Sequence, residues 1–373
     1  MGEGTERADL ALDSTDRSPD LTGIDAWVDL TSPAIPHFFG GIVDGLDALA
    51  VHATVRDKGS TADLARLAGF DSDVVGRDPD RLLTRVPGVG VRTLQLWRRA
   101  PACDVSLSFQ NAMCVLASKA RGIPSIHFSD NDITAHTETR LTNRVYTRLQ
   151  TMATYTVVPS AFETRELVDR GADPETVFTY GGYKEDVYVA TFEPDPAFTD
   201  RLPFEEYVVV RPEALTAAYV DADRSIVPDL LDAATDRGFN VVYLPRGRSG
   251  DRSHADPYPD GTVYTPDRTL DGLQLAWHAD CVMTGSGTMA REAACMGKPA
   301  VSFFPEAPLS VDRELIAEGR IYRSRDPADI LSYVERQGPE DRRADRSRAR
   351  ETHAEVCRLV GDLIAAAVDG TGD

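Results

Sequence analysis

The sequence predicts an α/β protein of two doubly wound, Rossmann-like parallel-sheet domains that face a cleft, followed by a long C-terminal helix. Short β-branched segments alternate with helical patterns from residue 26 onward, and this rhythm is broken once, near the middle of the chain. Such alternation indicates parallel strands, because parallel strands need crossover connections, which helices supply. With 373 residues, of which 42% are hydrophobic, the chain is long enough to bury two cores.

The predicted strands are short apolar segments that share a high content of Val, Ile and Tyr. In the first half they are residues 26–30, 51–55, 104–108, 125–128, 155–158 and 177–180. In the second half they are residues 206–212, 240–246, 261–265, 281–285 and 300–304. The intervening segments place apolar residues at helical spacing, which favours α-helices between the strands.

A segment rich in proline and acidic residues separates the two halves, and we interpret residues 187–205 as a linker. The predicted division has an acidic disordered tail before the first domain and a C-terminal helix with its tail after the second. The boundaries are residues 1–23, 24–186, 187–205, 206–338 and 339–373.

The chain is strongly acidic, with a formal net charge of −20, and only four of its 40 basic residues are lysines. One interpretation is ordinary acidic solubility. The other is a halophilic, haloarchaeal cytoplasm, where concentrated salt screens the carboxylates. No arginine-rich stripe stands out, so nucleic acid is not an expected partner.

The cysteines and the apolar segments restrict the class of protein further. The five cysteines are widely spaced and form no CxxC pair, so neither a disulfide framework nor a zinc site is predicted. No segment approaches the roughly 20 apolar residues that a membrane helix needs. The polar N-terminus has no apolar core of a signal peptide. We therefore expect a soluble, cytoplasmic protein without an integral membrane segment.

The segment 284–299, TGSGTMAREAACMGKP, is the strongest candidate for a binding site. It follows a buried predicted strand and opens a predicted helix through a Gly-Ser-Gly turn. Gly285 and Gly287 would let the backbone approach a ligand closely. The free amides and positive dipole end at the helix start favour an anion, to which Ser286 and Thr288 could donate hydrogen bonds. Glu292, one turn further, could accept hydrogen bonds from both hydroxyl groups of a ribose.

This segment resembles the donor-nucleotide motif of GT-B-fold proteins. In that motif a glycine-rich turn precedes a helical glutamate, followed by Gly five residues later and Pro seven residues later; Glu292, Gly297 and Pro299 have this spacing. The same layout is found in glycosyltransferases related to MurG and in non-hydrolysing UDP-N-acetylglucosamine 2-epimerases. The resemblance implies that the second domain binds a nucleotide-sugar.

Over residues 26–320 the chain is more similar to an archaeal family of GT-B-like proteins, the domain of unknown function 354. Five signatures carry this resemblance: WVDLTSPAIPHFF (27–39), TVRDKG (54–59), FSDND (128–132), GGYKEDVY (181–188) and GTMAREAACMGKPA (287–300). The family implies the fold, whereas it implies no particular reaction.

Polar residues follow several predicted strands of the first domain, where ligands bind in such folds. We interpret His37, Asp130 and Asp132 as candidate catalytic residues, with His37 or Asp130 as the general base. Local capping of a helix and an ordinary Asp-Asn-Asp turn are the alternatives. Other residues at or after the ends of predicted strands in this domain are predicted to contact the sugar or the acceptor. They are Asp29, Arg56, Asn131 and Lys184.

In the second domain, arginines follow two neighbouring predicted strands. Arg211 and Arg246 could both bind a diphosphate through paired hydrogen bonds. Asp312 resembles a residue in the stretch that contacts the donor sugar in MurG-like enzymes. The glutamines expected beside it are missing, and Glu314 stands where one of them would be.

These patterns predict a metal-independent glycosyltransferase without a cofactor. Its second domain would bind a nucleotide-sugar, with UDP as the expected nucleotide, and its first domain would hold a glycan or lipid-linked acceptor. Two alternatives stay open: a UDP-N-acetylglucosamine 2-epimerase-like enzyme, and a non-catalytic nucleotide-sugar-binding protein. The arginine-proline-glutamate and His-x-Glu-Ala-Gly-Leu-Arg signatures of the epimerases are absent from the expected places, which favours the transferase.

Overall fold

The computed structural model describes residues 19–57, 61–77, 85–132, 141–213, 225–246, 251–258 and 261–370. The chain divides into two compact units: residues up to Lys184 form the first together with Thr352 onward, and Glu185–Glu351 form the second. Residues 1–18 of the predicted N-terminal tail lie outside the described residues, while Leu21 is buried.

The first unit contains a seven-stranded sheet in the order β3-β2-β1-β4-β5-β6-β7, in which every pairing is parallel. Its strands are β1 (Asp25–Leu30), β2 (Ala50–Asp57), β3 (Ser72–Arg77), β4 (Val105–Phe109), β5 (Ser125–Phe128), β6 (Tyr155–Pro159) and β7 (Val177–Tyr180). The helices that connect them are α1 (Ile35–Asp44), α2 (Thr61–Leu67), α3 (Arg85–Arg99), α4 (Ala112–Arg121), α5 (Leu141–Gln150) and α6 (Arg165–Val168).

A cluster of aromatic rings joins α1 to the centre of this sheet. Phe38 makes edge-to-face contacts with Phe39, Phe109 and Phe128, at centroid distances of 5.1–5.2 Å. All four rings are buried. The apolar spacing at the start of α1 is therefore explained by packing on β4 and β5, an arrangement that contributes beyond simple area burial.

The second unit contains a six-stranded parallel sheet in the order β10-β9-β8-β11-β12-β13. Its strands are β8 (Val208–Arg211), β9 (Val241–Tyr243), β10 (Val263–Tyr264), β11 (Cys281–Thr284), β12 (Ala300–Ser302) and β13 (Tyr322–Arg323). Helix α7 (Lys184–Val189) lies where the chain enters this unit, and the helices that follow are α8 (Val227–Asp236), α9 (Gly272–His278), α10 (Gly287–Cys295), α11 (Ser310–Ala317) and α12 (Pro327–Glu335).

The C-terminal helix, α13 (Ser347–Asp369), begins in the second unit and belongs to the first from Thr352 onward. In the first unit His353 Nε2 lies 2.7 Å from the carbonyl oxygen of Gly41, and Cys357 is buried. The one long helix predicted at the end of the chain is present, and its apolar residues pack into the core that begins some 300 residues earlier in sequence.

The predicted fold class is confirmed: two doubly wound parallel sheets, followed by a long C-terminal helix. Strands β3 and β13 were missing from the predicted set. Both lie at a sheet edge, and they are either short or partly exposed, so they lack the continuous apolar sequence that identifies a central strand. Residues 187–205, predicted as a linker, lie in the second unit, with buried side chains at Val187, Phe198 and Leu202.

Each sheet has one position where the chain reverses the direction in which it adds strands. In the first unit this topological switch point lies between β1 and β4, and in the second between β8 and β11. In open parallel sheets, ligands bind at the carboxyl ends of the two strands that flank such a point. These two positions are therefore where a site is expected.

Candidate functional sites at the two switch points

The switch point of the second sheet brings Arg211 next to the Gly-Ser-Gly turn. Arg211 is the last residue of β8 and is paired in register with Thr284, the last residue of β11. The Gly285 amide donates a hydrogen bond to the Arg211 carbonyl oxygen at 3.0 Å. The two sequence features predicted to bind one anion, an arginine and a glycine-rich turn, are thus adjacent at the edge where ligands bind.

Helix α10 starts directly after this turn. Its N-cap residue, Ser286, has an extended backbone, and the Ser286 side chain makes no capping hydrogen bond. Two other helices of this unit, α9 and α12, are capped, because Asp271 and Asp326 accept hydrogen bonds from their first-turn amides. First-turn amides without a partner in the helix need an acceptor. The start of α10 therefore presents donors and a positive dipole end to an anion.

The two glycines of the turn have different reasons to be glycine. A Cβ on Gly285 would lie 2.6 Å from Glu213 Cγ and 2.7 Å from Glu213 Cα. The close approach of Glu213 is thus sufficient to require glycine at 285, a reason that the sequence did not reveal, and a close approach of a ligand there stays a prediction. A Cβ on Gly287 would meet only the tip of Arg291, at 3.2 Å. The packing of the described residues therefore does not require glycine at 287, and the close approach of a ligand there stays a prediction.

We expect Gly285→Ala to lower the free energy of unfolding by about 1–3 kcal/mol, because overpacking against backbone atoms cannot be relieved by a rotamer change. Gly272→Ala is the matched control: Gly272 begins α9 in the same unit, and no heavy atom lies within 4 Å of its added Cβ. Urea denaturation of both variants measures the difference. Equal stabilities would show that Gly285 is not held against Glu213.

The side chain of Arg211 is partly buried, and its Nε is fully buried without a hydrogen-bond partner among the described residues. Burial lowers the pKa of Arg211 from its ordinary value, and the carboxylate of Glu292 opposes that shift. An arginine remains charged even so. A cation with an unsatisfied buried donor is a costly arrangement unless an anion completes it.

Glu292 lies one turn into α10, and its Oε1 accepts a hydrogen bond from the hydroxyl of Tyr188 at 2.9 Å. Tyr188 belongs to α7 and is buried. Burial and the neighbouring Glu292 raise the pKa of the Tyr188 phenol well above its usual range. The tyrosine is therefore a permanent donor to the carboxylate.

Two other residues predicted for this site, Arg246 and Asp312, form hydrogen bonds within the protein. Arg246 donates from Nε to the Pro212 carbonyl oxygen at 2.7 Å. Asp312 accepts from Arg291 Nη1 at 2.9 Å. These contacts give both side chains a structural role, and a direct contact to a diphosphate or a sugar stays a prediction for them.

At the switch point of the first sheet, Asp29 is the centre of a buried network. Arg92 donates to both of its oxygens, at 2.7 and 2.8 Å, Thr54 donates to Oδ1 at 2.6 Å, and Asn111 to Oδ2 at 2.6 Å. Burial is the largest single influence and lowers the pKa of Arg92, but the charge and the hydrogen bonds of Asp29, with smaller contributions from Cys114 and Tyr146, together raise it above its ordinary value. A carboxylate offers about four acceptor positions, and here all four have donors, so Asp29 has a structural role and not the predicted acceptor contact.

Asp130 and Lys184, both predicted as site residues, lie together in the first unit. Lys184 Nζ is 2.7 Å from Asp130 Oδ2, and both side chains are about 6% exposed. Gln110 Nε2 donates to Asp130 Oδ1 at 3.0 Å. Gln110 directly follows β4 and has a φ of 46°, a left-handed conformation that costs free energy in a residue other than glycine.

The remaining predicted residues of this unit differ in accessibility. Asp132 is fully buried, and its Oδ2 accepts from the Glu163 amide at 3.2 Å, so it fits a structural role better than a catalytic one. Asn131 is exposed, whereas His37, in the first turn of α1, and Arg56, near the end of β2, are partly buried. These three stay candidates for contacts to a substrate.

Sequence reasoning missed Tyr188, Gln110 and Arg92 as site residues. Tyr188 was inside the quoted GGYKEDVY segment, and Gln110 follows a buried strand directly, so position gave a signal for both. Arg92 gave none, because it lies in the middle of α3 and meets Asp29, 63 residues away, only after folding.

Two doubly wound units, with a glycine-rich turn, a helix start and an acidic residue on that helix in the second, define a GT-B-like α/β protein. Solved structures agree. A UDP-GlcNAc 2-epimerase of Neisseria meningitidis bound to UDP-GlcNAc matches with a TM-score of 0.65 and 13% identity, over 92% of this chain and 100% of the other. The glycotransferase of kitacinnamycin matches with a TM-score of 0.60 and 14% identity, over 94% and 100%.

The chain belongs to the family described as "Protein of unknown function (DUF354)", which matches residues 24–368. An uncharacterized protein of the archaeon Methanocaldococcus jannaschii is 24% identical over 328 residues, covering 84% of this chain and 92% of the relative. The similar solved structures are less than 25% identical to this chain in sequence, so they show its fold alone. Within the described residues, no helix has both the length and the apolar character needed to cross a membrane.

Proposed function

We propose that the second unit binds a nucleotide-sugar, with UDP as the nucleotide, and that the protein is a metal-independent glycosyltransferase. The observation that carries this proposal is the uncapped start of α10 beside Arg211 at a topological switch point. A diphosphate would accept from the first-turn amides and from the guanidinium. Glu292, one turn away, would accept from the ribose hydroxyl groups.

In the proposed transfer, the nucleoside diphosphate leaves the anomeric carbon as an acceptor oxygen attacks it. Charge develops on the departing diphosphate, and the helix start and Arg211 stabilise that charge without a metal. A base must take the proton of the acceptor. His37 and Asp130 are the proposed bases of the first unit, and Lys184 and Gln110 would hold the Asp130 carboxylate in place. A glycan or lipid-linked acceptor is proposed for this unit.

Epimerisation at carbon 2 of UDP-N-acetylglucosamine is the second candidate. The observation in its favour is the similarity to the Neisseria meningitidis enzyme over 92% of this chain and 100% of the other. Both reactions require a nucleotide-sugar in the second unit, so they differ in the first unit and in the products. A non-catalytic binding protein would keep the second-unit site and show neither reaction.

Calorimetric titration with UDP, GDP and dTDP, and with the corresponding nucleotide-sugars, tests the binding site. We expect saturable binding of at least one diphosphate, unchanged by EDTA and measured at low and at molar potassium chloride because of the acidic composition. Glu292→Ala is expected to weaken that binding about tenfold, since hydrogen bonds to a charged group contribute roughly 1.5–3 kcal/mol.

If no nucleotide binds under either salt condition, the proposed function is wrong. Products then separate the reactions: epimerisation changes the sugar without any acceptor, whereas transfer releases nucleoside diphosphate only when an acceptor is glycosylated. Activity that persists in both His37→Ala and Asp130→Ala would exclude these two residues as the base.

A further inference from the structure

Tyr188 forms a hydrogen bond with Glu292, and the sequence analysis had assigned Tyr188 no role. Its hydroxyl lies 2.9 Å from Glu292 Oε1, and its side chain is 4% exposed. A carboxylate accepts hydrogen bonds and does not donate them. The tyrosine hydroxyl must therefore donate, and it restricts the directions in which Glu292 can turn.

A second contact joins the same two helices, α7 and α10, close to the contact between Tyr188 and Glu292. Arg291 Nε lies 2.9 Å from Glu185 Oε1, with both side chains almost fully buried. Glu185 and Tyr188 are three residues apart on α7, and Arg291 and Glu292 are neighbours on α10. The ion pair thus holds the part of α7 that carries Tyr188, so the hydroxyl is a fixed reference for the carboxylate.

The carboxylate has capacity beyond this contact, because an ionised carboxyl group can accept about four hydrogen bonds. One acceptor position is directed at Tyr188, and in the proposed function the ribose hydroxyl groups also donate to this carboxylate. A side chain held in one conformation loses less entropy when it binds and distinguishes better between ligands that do and do not supply the donors.

We propose that Tyr188 is a positioning residue that makes the site prefer ribonucleotides over 2′-deoxyribonucleotides by orienting Glu292. This inference rests on the proposed function, because it takes Glu292 as the ribose contact. It goes beyond that function by naming the class of nucleotide that the site selects and the residue that sets the selection. The ligand class is a ribonucleoside diphosphate, free or linked to a sugar.

The test compares dissociation constants for UDP and 2′-deoxy-UDP, and for GDP and 2′-deoxy-GDP, in the full-length protein. We expect the wild type to bind the ribose form of its preferred nucleotide about tenfold more tightly, as expected for one hydrogen bond to a charged group. Tyr188→Phe removes only the hydroxyl, and we expect it to reduce this ratio to about threefold.

Tyr207→Phe is the matched control. Tyr207 lies in the same unit, is 1% exposed, and donates one hydrogen bond, to the Leu275 carbonyl oxygen at 3.0 Å. Tyr207 precedes β8, at the opposite end of that strand from Arg211. The Tyr207→Phe variant loses a comparable buried hydroxyl that is bonded to Leu275 and not to Glu292, so its ratio of the two dissociation constants should equal that of the wild type. The melting temperature of each variant shows that it is folded.

The ratio of the dissociation constants for the 2′-deoxy and ribose forms shows whether Tyr188 positions Glu292 or only stabilises the fold. If Tyr188→Phe weakens both forms of the nucleotide equally and leaves the ratio unchanged, the inference is wrong while the proposed function stands. If the wild type binds both forms equally, ribose recognition by Glu292 is wrong as well. In a Glu292→Ala background Tyr188→Phe should not change the ratio further; an additional change would show that Tyr188 acts through another group and would overturn the proposal.

Discussion

Arg211→Ala is expected to weaken nucleoside diphosphate binding about 30-fold or more. Removing one partner of a buried, hydrogen-bonded charge pair typically costs about 2–5 kcal/mol, and each 1.4 kcal/mol corresponds to about tenfold in affinity. A loss of 30-fold corresponds to about 2 kcal/mol, the lower end of that range. At least this much is expected because the Arg211 Nε is buried without a partner among the described residues. Calorimetric titration with the tightest-binding nucleotide of the wild type measures the effect.

Arg211→Lys refines this prediction. A lysine keeps the charge but loses the planar pair of donors that matches phosphate oxygens, so we expect an affinity between those of the wild type and the alanine variant. The stability of Arg211→Ala should change little or improve, since the variant removes a charge that burial disfavours. A site built for an anion predicts this combination of lost affinity and retained stability.

Arg237→Ala serves as the control for a general loss of positive charge. Arg237 is exposed, pairs with Glu335 at the surface, and follows α8 at the opposite end from the ligand edge. Surface ion pairs contribute about 0–1 kcal/mol, and the expected change in affinity is within twofold. If Arg237→Ala and Arg211→Ala weaken binding equally, the nucleotide is attracted by overall charge and the site at the switch point is wrong.

Asp29→Asn is expected to lower the free energy of unfolding by about 3–5 kcal/mol, because it leaves the charge of buried Arg92 without a counterion. Both side chains are at most 3% exposed, and the paired geometry uses both carboxylate oxygens. A loss of this size is a large fraction of the stability of an ordinary domain. Urea denaturation at fixed salt measures it, with the signal of the buried Trp27 as a local probe.

Asp25→Asn is the control on the same strand. Asp25 lies at the other end of β1, and its pair with His52 is about half exposed, so the expected loss is below about 1 kcal/mol. The double variant Asp29→Asn with Arg92→Gln should be less destabilised than the sum of its parts, because it removes the unpaired charge. Additive losses, or a loss below 1 kcal/mol for Asp29→Asn, would contradict the proposed network.

Much of the fold could be predicted from local sequence. The central strands of both sheets are continuous apolar segments, and β5 and β7 were predicted with the bounds that the structure shows. The start of α10 was also predictable, since glycines and small polar residues before an apolar helix have a local conformational cause. Edge strands β3 and β13 were not, because their burial depends on neighbours that the local sequence does not specify.

The candidate site was predictable only in part, for a related reason. A residue that follows a buried strand lies at the ligand edge of a parallel sheet, which identified Arg211, Asp130 and the glycine-rich turn from sequence. Position at that edge does not reveal whether a side chain faces solvent or the interior. Asp29 had the same sequence signature as the others, but the structure shows its carboxylate enclosed by four donors.

The segment 284–299 shows which features the sequence determined and which the tertiary structure decided. By itself, the sequence determined a strand, a tight turn and a helix whose start favours an anion, because these depend on backbone conformation and on residues close in sequence. Only the tertiary structure decided that Gly285 accommodates Glu213, that Arg211 has a buried donor beside the turn, and that Tyr188 donates a hydrogen bond to Glu292. Contacts of this kind join residues 72–104 positions apart, and packing of the whole unit is what brings them together.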